Sequence, residues 1–64
     1  MNKTIYSNGS FDVFEYFCNV NGKQMTAYGI RRTDRPQDGM IFSSPDSSFT
    51  IRIADSYKKT LTKD

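Results

Sequence analysis

The sequence contains no histidine and only one cysteine, Cys18, among its 64 residues. Without histidine there is no imidazole to act as a general base, and neither a Ser-His nor a Cys-His nucleophile pair can form. One cysteine cannot form a disulfide within the chain, and it cannot supply a structural zinc site. We therefore expect no catalytic residues, no bound metal and no cofactor, and we interpret Cys18 as a small buried hydrophobic residue.

Long apolar segments are also missing from the sequence. No stretch approaches the roughly 20 apolar residues that a transmembrane helix requires, and the first residues, Met1 to Tyr6, lack the apolar run of a signal peptide. A lone thiol without a secretion signal is typical of cytosolic proteins. These features predict a cytoplasmic protein that does not associate with membranes.

The balance of charge is only weakly basic. Nine basic and seven acidic residues give a formal net charge of +2, which argues against an acidic mimic of DNA and is too small to identify a nucleic-acid-binding protein. The length predicts a single domain spanning residues 1–64. A domain of this size buries only about 60% of its unfolded surface, so helix packing, a binding partner or formation of a homodimer would have to support it.

A long β-hairpin is the most strongly indicated element. Aromatic and β-branched residues are dense in Phe11 to Val20, the dipeptide Asn21-Gly22 follows, and Lys23 to Arg32 continues the pattern. Asn-Gly favours a two-residue type I′ turn, because both of its residues tolerate positive φ. Such a turn pairs Val20 with Lys23 and each earlier residue with its counterpart, so that Asp12 lies opposite Arg31 as a surface ion pair.

In this register the apolar residues change face along the ribbon. Near the turn one face is apolar, and near the open end the opposite face is apolar. The first set is Phe14, Tyr16, Cys18, Val20, Met25 and Ala27; the second is Phe11, Val13 and Ile30, with Tyr6 beside them. A curled sheet or a β-bulge accommodates such a change, and we expect a sharp bend near Phe14 and Gly29.

The flanking segments predict further strands. Lys3 to Ser7 is a short strand, and Asn8-Gly9 predicts a second two-residue turn that would pair Tyr6 with Phe11. Met40 to Ser43 forms another short strand, and the alternation of apolar and polar residues in Phe49 to Ala54 predicts a half-buried strand.

The last ten residues differ in character. Asp55 to Asp64 predicts a short helix or tail, capped by Asp55 or Ser56 and with Tyr57 and Leu61 on one side. The predicted fold is mainly β: a small antiparallel meander of four to five strands, curled into a half-open barrel, with a short C-terminal helix or tail. A competing interpretation is a helix that begins at Ser10, because apolar residues recur at helical spacing from Phe11 to Cys18.

The sequence favours a binding function over an enzymatic one. Arginine and tyrosine are enriched at the energetic centres of protein interfaces, and we predict a partner-binding site comprising Phe17, Tyr28, Arg31, Arg32 and Arg35. The expected role is that of a small regulator or inhibitor, of the kind encoded by phages and mobile elements, which covers a surface of another protein. The alternative is a β-barrel that binds single-stranded nucleic acid through arginines and the rings of Tyr6, Tyr16 or Tyr57. A third hypothesis is assembly of copies through an open strand edge, at Lys3 to Ser7 or Phe49 to Ala54.

Overall fold

The computed structural model describes residues 3–62, which form a four-stranded antiparallel sheet and one helix. The strands are in meander order, and the sheet is open, which confirms the predicted mainly β class. The elements are β1 (Lys3–Ser7), β2 (Phe11–Val20), β3 (Lys23–Arg32), a 3-10 turn (Pro36–Asp38), β4 (Phe42–Ser44) and α1 (Ser47–Thr62).

The central hairpin has the predicted register. β2 and β3 pair without interruption from Phe11 opposite Arg32 to Val20 opposite Lys23. Asn21 and Gly22 have φ values of 53° and 79°, the two positive values that a type I′ turn requires. The competing helix from Ser10 is therefore wrong, since the segment is β2.

The pairing of β1 with β2 differs from the prediction. Tyr6 lies opposite Val13 rather than Phe11, and Ser7 lies opposite Asp12, so the connection is longer than a two-residue turn. The cause is the side chain of Asn8, whose Oδ1 atom accepts hydrogen bonds from the backbone N–H groups of Ser10 (3.1 Å) and Phe11 (2.9 Å). Asparagine side chains often direct turns in this way, and here the side chain closes the loop in place of a type I′ turn.

One irregularity interrupts the sheet, and it lies in β1. Thr4 pairs with Phe14 and Tyr6 with Val13, so Ile5 is an extra residue on β1. This bulge lies beside Phe14, where the sequence predicted an irregularity, but the ladder between β2 and β3 continues unbroken past Gly29. The predicted sharp bend is therefore not accompanied by any irregularity in the pairing of the hairpin.

The predicted strand Phe49 to Ala54 is wrong, because these residues belong to α1. The side chain of Asp46 caps the helix: its Oδ1 atom accepts a hydrogen bond from the N–H of Phe49 at 3.0 Å. Helical spacing buries Thr50 and Ala54 completely. The helix thus begins well before Asp55, where the sequence placed its start; the end of the predicted tail, Lys63 and Asp64, lies outside the described residues. The predicted strand Met40 to Ser43 is observed slightly later, as β4.

The core lies between α1 and one face of the sheet. Phe11, Val13, Ile30 and Ala54 form its buried centre, so the second apolar face predicted for the hairpin is the one that the helix covers. Partly buried residues complete this core: Tyr6, Tyr28, Phe42, Ile51, Ile53 and Tyr57. Within the described residues, no helix combines the length and apolar character needed to cross a membrane.

The hairpin extends beyond the rest of the sheet. β1 pairs only with residues 12–15 of β2, and β4 pairs only with residues 28–30 of β3. Residues 16–27 therefore continue as a two-stranded ribbon, which we call the hairpin arm. The molecule is correspondingly elongated, with principal dimensions of 45 × 23 × 17 Å.

Candidate functional site

The predicted site residues do not all lie on one surface. Phe17 is in the hairpin arm, on the same side of the sheet as the helix, and it is 52% exposed. Tyr28 lies on the same side but packs against the core and is only partly accessible. Of the two aromatic residues in the predicted site, only Phe17 thus offers a largely exposed ring.

The arginines of the predicted site are separated as well. Arg32 donates two hydrogen bonds of 3.0 Å to the carboxylate of Asp34, and these bonds lower the pKa of the Asp34 carboxyl. Arg35 forms an ion pair of 3.1 Å with Asp38, three residues further on. Both guanidinium groups are therefore engaged by carboxylates within the loop that follows β3.

Arg31 lies on the opposite face of the sheet from Arg32. Its guanidinium carbon is 4.9 Å from the centre of the Phe14 ring, in a cation–π arrangement. Asp12 is directly opposite Arg31 in the ladder, but the expected ion pair between them does not occur among the ion pairs of residues 3–62. The side chain of Arg31 lies over the ring of Phe14 instead.

The sheet face opposite the helix is what we call the open face. It presents the first apolar set predicted for the hairpin: Phe14, Tyr16, Cys18, Val20, Met25 and Ala27. Val20 and Met25, near the tip, are 46% and 45% exposed. Phe14 is buried, because Arg31 lies over its ring and Met40 packs beside it. No helix covers this face in the part of the chain that the structure describes.

Two depressions on the open face meet at Tyr16. The first, which we call the Arg31 groove, has a volume of about 300 Å³ and is lined by Phe14, Tyr16, Arg31, Pro36, Gly39 and Met40. The second, the arm groove, has a volume of about 360 Å³ and is lined by Tyr16, Cys18, Val20, Met25, Thr26, Ala27, Ser43, Ser44 and Pro45. An extended ligand could follow both grooves along the hairpin.

Backbone groups at the edge of the arm are also available. In a hairpin with a two-residue loop, the two residues that flank the loop form backbone hydrogen bonds to each other. Hydrogen-bonded pairs then alternate with non-hydrogen-bonded pairs along the ladder. Phe17 and Asn19 consequently direct their N–H and C=O groups away from β3. The same alternation explains why the carbonyl of Ile30 points outward and accepts a hydrogen bond of 2.8 Å from the N–H of Ile41. Within residues 3–62, β3 pairs with one edge of β2 at Phe17 and Asn19, and no strand pairs with the other edge there.

The tyrosines predicted to stack on nucleic acid are mostly engaged elsewhere. The Tyr6 hydroxyl donates a hydrogen bond of 2.7 Å to Asp55, and this bond raises the pKa of Tyr6. The ring of Tyr57 lies 5.6 Å from the ring of Phe11, in the core. Tyr16 alone of the three lies on the open face. Cys18, interpreted as a buried residue, is a half-buried free thiol on that face.

Sequence reasoning missed the loop residues that complete the Arg31 groove. Pro36, Gly39 and Met40 lie on the loop between β3 and β4, which folds over the open face. The sequence pattern predicts that Met40 begins a strand, and it does not indicate the position of Met40 beside Gly29 and Phe14. Among residues 3–62 there is also no cluster of three or more side chains suited to hold a metal ion.

Comparison with known proteins adds no relative to this description. No model of a protein family, no curated protein and no solved structure matches the chain.

Proposed function

We propose that this protein is a non-enzymatic protein-binding module, a small regulator or inhibitor that acts by covering a working surface of its partner. The observation that supports the proposal is the hairpin arm. It projects beyond β1 and β4, and it carries Phe17, Val20 and Met25, each about half exposed. These are three of the eight large apolar side chains that are exposed within residues 3–62, and a group of exposed apolar side chains is typical of an interaction surface.

The composition of the arm supports the same function. Between residues 16 and 27 the only charged side chain is that of Lys23. The centres of protein interfaces are depleted in charged residues and enriched in aromatic residues and methionine, which Tyr16, Phe17 and Met25 supply. A two-stranded ribbon with apolar side chains on both faces fits a cleft in a partner, where it would exclude other ligands.

Binding of single-stranded nucleic acid is a second candidate function. Arg31 and Tyr16 line the same groove, and this arrangement could bind one phosphate and one base. The other predicted contributors are less available, because Arg32 and Arg35 are paired and Tyr6 and Tyr57 face the helix side. Oligonucleotide binding that weakens steeply as salt rises would favour this candidate.

Affinity capture with a matched pair of variants tests the protein-binding function. The test variant carries Phe17→Ser and Met25→Ser, and the control carries Leu61→Ser, a residue 48% exposed on α1 outside the arm. A partner isolated on the wild-type protein is purified and its affinity for each protein is measured by calorimetry. We expect the control to bind within about twofold of wild type and the arm variant to bind about tenfold or more weakly.

Equal affinity of all three proteins for that partner would exclude the arm as the contact. Folding of each variant is checked by circular dichroism. The substituted side chains are each about half exposed, so each replacement should lower the free energy of unfolding by about 1 kcal/mol or less.

A further inference from the structure

We propose that the open face recognises an acidic, apolar segment of the partner protein, with Arg31 binding an aspartate or glutamate carboxylate and the Arg31 groove holding the adjacent apolar side chain. This inference rests on the proposed protein-binding function and specifies the kind of partner. It starts from a difference among the three arginines of the predicted site. Among the ion pairs of residues 3–62, Arg32 and Arg35 each bind a carboxylate of their own loop, whereas Arg31 takes part in none.

The contacts of the Arg31 side chain suit it to bind a carboxylate. Its guanidinium carbon lies 4.9 Å from the centre of the Phe14 ring, and this cation–π contact restricts the side chain. No acceptor for the guanidinium N–H groups occurs among the hydrogen bonds and ion pairs of residues 3–62. A guanidinium held in place loses less entropy on binding than a mobile one, and it can bind both oxygens of a carboxylate at once.

The charges around Arg31 leave its positive charge incompletely neutralised. Asp12 is the neighbouring carboxylate on this face, directly opposite in the ladder, but it does not bond to Arg31. Asp38, on the 3-10 turn, is engaged by Arg35. Asp12 therefore weakens the attraction of Arg31 for an incoming anion without occupying its donors.

The groove beside Arg31 suits an apolar anchor. Phe14, Tyr16, Pro36 and Met40 form its walls, and its volume of about 300 Å³ lies at the lower end of the range of about 300–1,000 Å³ for ligand sites. One anchoring side chain with its neighbouring carboxylate fits this size. Tyr16 also lines the arm groove, so the segment carrying the anchor would continue along the hairpin in extended form.

The same charges favour a protein segment over nucleic acid. A single strand is held by several cations that follow successive phosphates. Within residues 3–62, the hairpin places Arg31 beside the groove on the open face and Lys23 far from it, next to the turn. A single carboxylate next to an apolar side chain matches one cation next to one apolar groove. Arg31 therefore fits an acidic peptide better than a polyanion.

Selection from a phage-displayed library of random short peptides tests this inference, with the full chain immobilised as bait. We expect the enriched peptides to share an aspartate or glutamate next to a large apolar residue. Synthetic copies of these peptides should bind Arg31→Met about tenfold or more weakly than wild type. They should bind Arg35→Met within about twofold of wild type, since Arg35 already has a partner.

Two further variants sharpen the test. Asp12→Asn removes the neighbouring negative charge and should tighten binding of the acidic peptides. Arg31→Lys keeps the positive charge but loses the planar guanidinium and its paired donors, so binding should be intermediate. The lysine variant also provides the comparison if Arg31→Met does not fold.

Several results would overturn the inference. They are an absence of enriched peptides, enriched peptides without a carboxylate, equal binding by wild type and Arg31→Met, and loss of oligonucleotide rather than peptide binding in Arg31→Met. A homodimer that buries the open face, detected by sedimentation and disrupted by Arg31→Met, would also overturn it. If a captured partner requires Phe17 and Met25 but not Arg31, this inference fails while the protein-binding function stands.

Discussion

Met40 occupies the space that a side chain on Gly29 would need. The Sδ and Cγ atoms of Met40 both crowd the position of a Cβ atom on residue 29, and the Cζ atom of Phe14 lies 2.8 Å from it. Glycine in the middle of β3 therefore allows the loop before β4 to pack against the open face. As a result Phe14 is only 6% exposed although no helix covers it.

A methyl group at residue 29 should disturb this packing. We expect Gly29→Ala to lower the free energy of unfolding by about 1–3 kcal/mol, because Met40 and Phe14 must both move. In a Met40→Ala background the same change should cost less, since only Phe14 must then move and alanine loses less backbone entropy than glycine. Urea denaturation of the four proteins of this cycle measures both values. An equal cost of Gly29→Ala in the two backgrounds would contradict the contact.

The side chain of Asn8 should stabilise the protein through both of its polar atoms. Its Oδ1 atom closes the loop between β1 and β2, and its Nδ2 atom donates to the carbonyl of Ala54 (3.1 Å) and to Asp55 (3.0 Å). Asn8→Ala should cost about 2 kcal/mol or more, because several partly buried hydrogen bonds are lost together. Thermal denaturation at neutral pH measures this loss.

Replacement of Asn8 by aspartate separates the two roles. Asn8→Asp keeps the acceptor oxygen but removes the donor and places a second carboxylate beside Asp55. Its melting temperature should therefore fall below that of wild type at neutral pH, and the difference should shrink as the pH approaches about 3 and the carboxylates are protonated. A difference that does not change with pH would show that repulsion from Asp55 is absent.

Two threonines of α1 form a matched pair that compares a buried side-chain hydrogen bond with an exposed one. Thr50 is fully buried, and its hydroxyl donates to the carbonyl of Asp46 at 2.7 Å. Thr60 makes the equivalent bond to Ser56 at 3.2 Å on the exposed side. We expect Thr50→Val to cost about 0.5–1.5 kcal/mol and Thr60→Val to cost less than about 0.5 kcal/mol. The reverse order in chemical denaturation would be inconsistent with the burial of Thr50.

Stability should decline in acid partly through Asp55. Hydrogen bonds from Asn8 and Tyr6, with the positive charges of Lys58 and Lys59, lower the pKa of Asp55 below its ordinary value. A lowered pKa in the folded state stabilises the protein above the unfolded pKa of about 3.9, and this stabilisation is lost as the pH falls through the folded value. Melting temperatures measured from pH of about 5 to 2 should fall less steeply in Asp55→Asn than in wild type. Identical slopes would exclude this contribution.

Tyr6 should contribute to the loss of stability at alkaline pH. Its hydrogen bond to Asp55 raises the pKa of the phenol above 10.0. A raised pKa gives stabilisation that is complete below the unfolded pKa and is lost as the pH rises through the folded value. Tyr6→Phe should therefore flatten the alkaline part of the stability profile, a change that ultraviolet titration of the phenol checks independently.

The hairpin was predictable because its signal is local. Asn21-Gly22 specifies the turn, and the turn specifies every pair up to Phe11 and Arg32. The loop at Asn8 carries a similar dipeptide, but there a side chain that also bonds to α1 determines the geometry. A contact across 46 residues of chain is not visible in a short window of sequence.

The helix was missed because its most deeply buried residues are not the large apolar ones. Thr50 and Ala54 face the core, whereas Phe49 is about half exposed and packs against Phe42. The alternation of Phe49, Ile51 and Ile53 with polar residues is therefore typical of a strand, although the segment is helical. The proposed binding surface was only partly predictable for a related reason: which of the neighbouring arginines lacks a carboxylate depends on a loop conformation that the sequence pattern does not specify.

Within residues 3–62, no third strand pairs with the arm, which is formed by β2 and β3 alone. Its hydrogen bonds can break from the tip inward without disturbing the buried contacts among Phe11, Val13 and Ile30, so its amide protons should exchange with solvent well before those of the core. A partner that binds the arm would then slow the exchange of the amide protons in the arm before it slows exchange elsewhere. This local protection would report binding even when the melting temperature of the whole domain scarcely changes.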